Sequence, residues 1–353
     1  MKEKQVSSMK IAMVYIGTVV GAGFATGQEI LQFFVHFGVN GFLGILLSTF
    51  LFVFYGYLIM QMGRKFAAKS HKELVENIGG RFFGLGLDVF IMLSLFFALT
   101  AMMAGSGALF LQEFGVSPFV GSAVMGIVSA LTVLRGLKGV IDAISAVVPF
   151  LLVAVVGICM YAIVTANSGG LQAVEIAGDT NPLMRHFLFA ALLYSAYNIL
   201  MSASILAPLG HTAGNEKTMF YGAAWGGIGL GGASLMIYLA LVANFTEILG
   251  FEVPLLYLAN NISPIVGLLF ALVLLAEVYT TAVSALYGLA ARHLEKRAYK
   301  RSVFVIVGIA FAASLFGFSN LVRYLYPLQG YGGLIFLGIL LFALCRHIRW
   351  KKS

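Results

Sequence analysis

Charged residues are scarce in this chain: only 10% of its 353 residues are Asp, Glu, Lys or Arg, whereas 60% are hydrophobic and the mean hydropathy is +0.96. A soluble domain is about a quarter charged and about 45–50% apolar, so the composition excludes a cytosolic enzyme, a nucleic-acid-binding domain and a disordered protein. Cysteine is equally scarce. Cys159 and Cys345 lie far apart in apolar runs, which predicts neither a disulfide framework nor a metal site.

Long apolar runs are what the chain has in abundance. A transmembrane helix needs about 20 mostly apolar residues, and this requirement predicts an all-α integral membrane protein with about ten transmembrane helices. The ten predicted spans are 9–37, 40–62, 83–111, 117–134, 139–165, 184–209, 217–245, 264–291, 302–318 and 329–346. The first run also resembles a signal peptide, but nine further spans and the polar residues that follow position 21 argue against cleavage.

The basic residues fall on alternate loops. If the N-terminus is inside, all of the 22 Lys and Arg residues except Arg185 and Arg323 lie in cytoplasmic segments. Short cytoplasmic loops carry an excess of Lys and Arg, so both termini, including the tail 347–353, are predicted to be cytoplasmic. This asymmetry accounts for the net charge of +8 without a nucleic-acid partner. The longest external connection, 247–263, is amphipathic enough to form a short helical hairpin.

Glycine interrupts the first span, where Gly17, Gly21, Gly23 and Gly27 fall within eleven residues. Each glycine costs about 1 kcal/mol relative to alanine inside a helix, so a break is expected at Gly21–Gly23. Unwound backbone at membrane depth must line a cavity or be buried in protein, and such breaks mark the binding sites of transporters. Close helix packing is the alternative, and we favour that role for the glycines of the seventh span.

The sixth span has a matching polar cluster at Tyr194, Ser195, Tyr197 and Asn198. Corresponding interruptions in two halves are typical of an inverted repeat. We therefore predict a 5+5 inverted repeat, with residues 1–166 and 184–346 as the two halves and with helices 1 and 6 discontinuous. Ser195, Tyr197 and Asn198 are the candidates for substrate selectivity, and Pro208 is expected to end the helix.

The eighth span carries a polar stripe, because Glu277, Thr280, Thr281 and Ser284 recur at helical spacing on one face. A carboxylate at mid-bilayer costs about 2.5–3.5 kcal/mol on insertion scales, so Glu277 should face the bundle interior. Hydroxyl and carboxylate oxygens suit a small hard cation, which predicts an ion-coupling site. The alternative is that the hydroxyls bond back to carbonyls of their own helix.

Glu29 lies in the outer half of the first span. It is a candidate gate or proton site, or a structural partner of Arg185 or Arg323. No catalytic residue is predicted, because the chain contains neither a nucleophile–base pair nor a metal motif such as His-Glu-x-x-His. We therefore expect no enzymatic activity and no cofactor. The expected partners are a small-molecule substrate and the lipid bilayer.

The stretch Gly-Ala-Gly-Phe-Ala-Thr-Gly-Gln-Glu that ends at Glu29 resembles the YkvI family of bacterial membrane proteins, which is grouped with amino-acid permeases of the amino acid–polyamine–organocation superfamily. The resemblance runs along nearly the whole chain. It implies a LeuT-type fold in the cytoplasmic membrane of a bacterium. Sodium symporters of this fold carry a similar glycine run in the first helix.

The resemblance also implies roles for individual residues. The amides of Ala22 and Gly23, beside Gly21, would hold a substrate carboxylate. The implied Na+ ligands are the carbonyls of Gly17 and Val20, together with Glu277, Thr280 and Thr281, which match the spacing of a carbonyl and two hydroxyls in the eighth helix of those symporters.

Two departures from the symporter pattern bear on coupling. Symporters with two sodium sites have Asn where Phe24 stands here, which argues against a second sodium ion. Span five contains no lysine within the membrane, whereas proton-coupled relatives often carry one there. The expected function is a Na+-coupled symporter that imports an amino acid or related small carboxylate by alternating access. The alternatives are a H+-coupled permease that uses Glu277, a channel, or a sensor without transport.

Overall fold

The computed structural model describes residues 7–68, 71–135, 137–166, 183–213, 215–251, 253–290, 296–318 and 321–352. Within these ranges the chain is helical and contains no strand. The helices are α1 Ser8–Val19, α2 Ala22–Ala25, α3 Gln28–Phe33, α4 Val39–Lys65, α5 His71–Phe114, α6 Pro118–Val133, α7 Leu137–Thr165, α8 Phe187–Thr212, α9 Glu216–Ala243, α10 Phe245–Ile248, α11 Pro254–Ile262, α12 Pro264–Ala290, α13 Lys296–Ser314 and α14 Tyr326–Lys352.

Six helical segments are long and apolar enough to cross a membrane: α4, α8, α9, α12, the Gly84–Phe114 part of α5 and the Tyr326–Cys345 part of α14. Three shorter apolar helices are α1, α6 and the Pro149–Thr165 part of α7. The predicted ninth span overlaps α13, which begins with a cluster of basic residues and is long enough but not apolar enough to join these groups. Each of the ten predicted spans therefore contains a helix, and a membrane protein with several spans is confirmed.

The break in the first span is confirmed, one residue earlier than its predicted start. Helix α1 ends at Val19, and Val20 is extended, with φ −67° and ψ 125°. The chain becomes helical again at Ala22. A second interruption follows at Gly27, whose φ of +86° lies in the left-handed region that glycine tolerates best. The first span is therefore a series of short helices.

The predicted break in the sixth span is wrong, because α8 is one continuous helix over Phe187–Thr212. The Asn198 side-chain amide donates to the Tyr194 carbonyl at 3.0 Å, so this polar group is satisfied along the helix and requires no unwinding. Pro208 lies inside α8 and does not end it. Neighbouring helices and local adjustment make proline tolerable in membrane helices.

Glycines bring the helices of the core close together, as expected for the seventh span. A Cβ atom on Gly226 of α9 would lie 2.6 Å from Cδ1 of Tyr15 in α1, so only glycine permits this approach. Tyr15 in turn donates to the carbonyl of Phe52 in α4 at 2.8 Å. These contacts hold α1 between α4 and α9, which positions the break at its end.

The connection 247–263, which was predicted to be external, contains the end of α10 and the whole of α11. The backbone N–H of Leu255 donates to the Thr26 carbonyl at 3.1 Å. The Gln28 side-chain amide donates to the Phe251 carbonyl at 3.0 Å. The connection is thus bonded directly to the second interruption of the first span.

Candidate functional site

The first and eighth spans meet at the break in the first span. Because Val20 is extended, its carbonyl is free to point away from α1. The hydroxyl of Thr281 in α12 donates to that carbonyl at 3.2 Å. A Cβ atom on Gly21 would lie 3.5 Å from Thr281 Cγ2, so the absence of a side chain leaves room for this approach. The structure therefore brings together two of the residues in the predicted ion site.

The other hydroxyls of the stripe bond back to their own helix. Thr280 donates to the Glu277 carbonyl at 2.9 Å, and Ser284 donates to the Thr280 carbonyl at 2.9 Å. Bonding of the hydroxyls to their own helix was the alternative to an ion site. It applies to Thr280 and Ser284 but not to Thr281. Gly17 is buried inside α1, and the structure describes no hydrogen bond from it to α12.

Glu277 lies one helical turn before Thr281 and is completely buried. Among the described residues, neither carboxyl oxygen has a hydrogen-bond partner. The side chain of Thr281 lies near this carboxyl group, but the Thr281 hydroxyl donates its hydrogen bond to the Val20 carbonyl. An isolated buried carboxylate is very costly, so such a group is stable when neutral or when a cation lies beside it. Glu277 is therefore chemically suited to a proton or to a small cation.

Glu29 approaches the broken span from the other side. Its carboxyl group accepts a hydrogen bond from the Tyr197 hydroxyl in α8 and lies close to the backbone N–H of Phe24. A Cβ atom on Gly23 would lie 2.6 Å from Glu29 Cγ. The side chain of Glu29 thus lies over the backbone that was expected to hold a substrate carboxylate, next to the predicted residues Ala22 and Gly23.

The three selectivity candidates of the sixth span have different surroundings. Only Tyr197 contacts the broken span through its hydroxyl. Asn198 bonds to its own helix, and the Ser195 hydroxyl is buried without a partner among the described residues. No ion pair between Glu29 and Arg185 occurs within the described ranges. The side chain of Arg323, the other proposed partner, lies outside what the structure describes.

Sequence reasoning missed an aromatic enclosure around Tyr197. The ring centroid of Tyr197 lies 5.2 Å from that of Tyr326, 5.8 Å from that of Tyr194 and 5.8 Å from that of Phe33. Tyr326 follows a π-helical turn at Leu321–Leu325, and such turns are frequent at functional sites. Tyr194 and Tyr197 belong to the polar cluster noted in the sixth span, but Phe33 and Tyr326 carry no such signal, because aromatic residues in an apolar span look alike whether they face lipid or the interior.

The sequence and the fold both have known relatives. The chain is 31% identical to the uncharacterized membrane protein YkvI of Bacillus subtilis (strain 168) over 357 residues, which cover all of both chains. No protein-family model matches the chain.

Among solved structures, MhsT in complex with L-phenylalanine is similar with a TM-score of 0.69 and 16% identity, covering 96% of this chain and 89% of MhsT. A Na+-coupled sialic acid symporter in a substrate-bound outward-open state is similar with a TM-score of 0.62 and 15% identity, covering 95% and 79%. At these identities the likeness shows the fold alone, which is of the LeuT type. On its full-length similarity to YkvI, the chain belongs to the YkvI family of membrane proteins.

Proposed function

We propose that this protein is a secondary active symporter that imports an amino acid or related small carboxylate together with Na+. The substrate would bind beside the broken first span and α8, and the ion between that span and α12. The hydrogen bond from Thr281 to the Val20 carbonyl carries the proposal, because it places a hydroxyl oxygen against a backbone carbonyl that α1 does not use.

The chemistry of this contact suits a small cation. Unwound backbone carbonyls coordinate Na+ in transporters with discontinuous helices, and oxygen ligands are those that hard cations prefer. Sodium would enter between the Val20 carbonyl and the Thr281 hydroxyl. The hydroxyl would keep its proton and turn it away from Val20, so both oxygens would become ligands. In this proposal the remaining ligands come from Gly17, Glu277 and Thr280. The structural similarity to a Na+-coupled symporter and to MhsT, which is solved with L-phenylalanine, supports the same assignment.

One sodium ion is energetically sufficient. Moving one charge across the membrane supplies about 2.3 kcal/mol per 100 mV, and a tenfold gradient adds about 1.4 kcal/mol. Together these terms support accumulation of several hundred-fold. The protein would lie in the cytoplasmic membrane of a bacterium with both termini in the cytoplasm. Residues 1–166 and 184–346 would form the two inverted repeats, and one bundle of helices would rock against the other around the site.

A second candidate is proton coupling through Glu277. It is favoured by one observation: both carboxyl oxygens are buried and lack hydrogen-bond partners among the described residues. A carboxyl group in such surroundings takes up and releases a proton when the site opens to water on either side. It would then be the carboxyl group of Glu277, and not the Val20–Thr281 pair, that binds the coupling ion.

The decisive experiment measures uptake into proteoliposomes. A mixed panel of labelled amino acids is offered with an inward Na+ gradient and, separately, with an inward proton gradient. We expect accumulation with Na+ that is lost in Thr281→Ala. Thr100→Ala is the matched control, because its hydroxyl donates only to the Phe96 carbonyl of its own helix at 2.9 Å. Uptake driven by protons alone would favour the second candidate, and no uptake under either gradient would refute amino-acid symport.

A further inference from the structure

The anion position at the broken first span is already taken by a side chain of the protein. Glu29 is 2% exposed, and its carboxyl group accepts a hydrogen bond from the Tyr197 hydroxyl and lies close to the Phe24 amide. These are the kinds of donors that a substrate carboxylate would use. A second carboxylate beside Glu29 would meet a like charge in a region of low polarity, which is unfavourable.

Aromatic rings cluster around Tyr197, whose hydroxyl bonds to the same carboxyl group. Tyr197 carries the donating hydroxyl, and its ring lies within 6 Å of the rings of Phe33, Tyr194 and Tyr326. Tyr326 also lies close enough to Glu29 to interact with its charge. Aromatic faces attract ammonium groups, and cages of such rings recognise amines and methylated amines. A carboxylate bonded to one member of an aromatic cluster is therefore complementary to an organic cation.

No ion pair of Glu29 occurs among the described side chains, whose ion pairs include those of His71 with Asp88 and of Lys72 with Glu76. The side chain of Arg323 lies outside them. A buried carboxylate is costly unless a cation lies beside it. A ligand that brings a positive charge would remove this cost, whereas a ligand that brings only a carboxylate would increase it.

Two buried polar groups without partners lie on the helices that carry Tyr197 and Tyr326. They are the Ser195 hydroxyl and the side-chain nitrogen of Gln329, and neither has a hydrogen-bond partner among the described residues. Gln329 lies one turn after Tyr326, on a helix that approaches α8 closely: a Cβ atom on Gly330 would lie 2.8 Å from the Leu193 carbonyl oxygen.

We infer that Glu29, with Phe33, Tyr194, Tyr197 and Tyr326, binds the protonated amine of the substrate, so that the amine is the required group and a free carboxylate is dispensable. The inference rests on the proposed function and narrows its substrate class. An amino acid would enter with its ammonium group toward Glu29. The corresponding decarboxylated amine would bind as well, and the deaminated acid would not.

The test is direct binding to the purified full-length chain in detergent, measured by isothermal titration calorimetry. Three matched sets of probes are used: leucine, isopentylamine and 4-methylpentanoate; phenylalanine, phenethylamine and 3-phenylpropanoate; and alanine, ethylamine and propanoate. In at least one set we expect the amine to bind with a Kd within tenfold of that of the amino acid, while the acid shows no binding. Glu29→Gln should weaken amine binding at least tenfold, whereas Glu76→Gln, which alters an exposed carboxylate, should not.

A second variant protects the test against misfolding. If Glu29→Gln does not elute as a monodisperse species, Tyr326→Leu removes one ring of the enclosure and should weaken amine binding at least threefold. The inference is overturned if acids bind and amines do not, if no amine binds in any set, or if both variants bind amines as the unchanged protein does. Amine binding without uptake under either ion gradient would instead refute the proposed symport and leave this inference standing.

Discussion

The Thr281 hydroxyl donates a hydrogen bond to the Val20 carbonyl, 261 positions earlier in the chain, at 3.2 Å. This contact joins the polar stripe of α12 to the point where α1 ends. The other hydroxyls of the stripe, those of Thr280 and Ser284, bond within their own helix. Among these three hydroxyls, that of Thr281 therefore connects the eighth span to the first.

Removal of this hydroxyl should weaken Na+ binding. We expect Thr281→Ala to raise the Na+ concentration that gives half-maximal thermal stabilisation of the purified protein at least tenfold, because one oxygen ligand is lost. Thr281→Ser keeps the hydroxyl and should stay within threefold of the unchanged protein. The measurement is the melting temperature over a Na+ series with K+ as the compensating ion. Equal Na+ dependence in Thr281→Ala would contradict the assigned ion site.

Glu277→Gln separates the two coupling candidates. The amide of Gln is nearly isosteric with a neutral carboxyl group, and the backbone carbonyl assigned to Na+ is unchanged. We therefore expect Na+-driven uptake within threefold of that of the unchanged protein. Uptake is measured in proteoliposomes across a series of external pH values, with Glu76→Gln as the control at an exposed carboxylate. A complete loss of gradient-driven uptake in Glu277→Gln alone would transfer coupling to this carboxyl group.

Gly23→Ala should disrupt the substrate site without unfolding the protein. The added methyl group would lie 2.6 Å from Glu29 Cγ, so Glu29 must move away from the Phe24 amide and Tyr197. We expect substrate affinity to fall at least tenfold in equilibrium binding. Gly338→Ala is the matched control, because a Cβ atom there meets nothing within 4 Å. Similar affinities in the two variants would show that the position of Glu29 does not matter.

Gly63→Ala tests the contact between α4 and α8. Its Cβ atom would lie 2.8 Å from the Cα atom of Ala207, which is backbone and cannot rotate away. Overpacking of this kind costs about 1–3 kcal/mol, so the melting temperature in detergent should fall by several degrees. Gly232→Ala, whose Cβ atom meets nothing within 4 Å, should melt within about a degree of the unchanged protein because alanine also favours the helix. Equal melting temperatures for both variants would exclude tight packing at Gly63.

The break in the first span and the positions of the helices were predictable, because both depend on residues that are close together in the sequence. Glycine weakens a helix through its own backbone, and polar residues follow the run from Gly17 to Gly27, so the sequence located the break in the first span to within one residue. The length of the apolar runs identified all ten helix-containing segments, because the thickness of the bilayer sets the length of a transmembrane helix. Local reasoning gave a wrong prediction for the sixth span. Its polar residues suggested a break, but the Asn198 amide reaches the Tyr194 carbonyl one turn away, and α8 stays continuous.

The sequence by itself determined that this is a helical membrane protein with a broken first span, because hydrophobic length and glycine content act through the backbone of each segment alone. Only the tertiary structure decided which polar groups meet. Thr281 and not Thr280 reaches Val20, and Glu29 pairs with Tyr197, 168 positions later in the chain. Such contacts depend on how each helix is rotated and shifted along its axis relative to its neighbours. That arrangement results from the close packing of many side chains distributed along the chain.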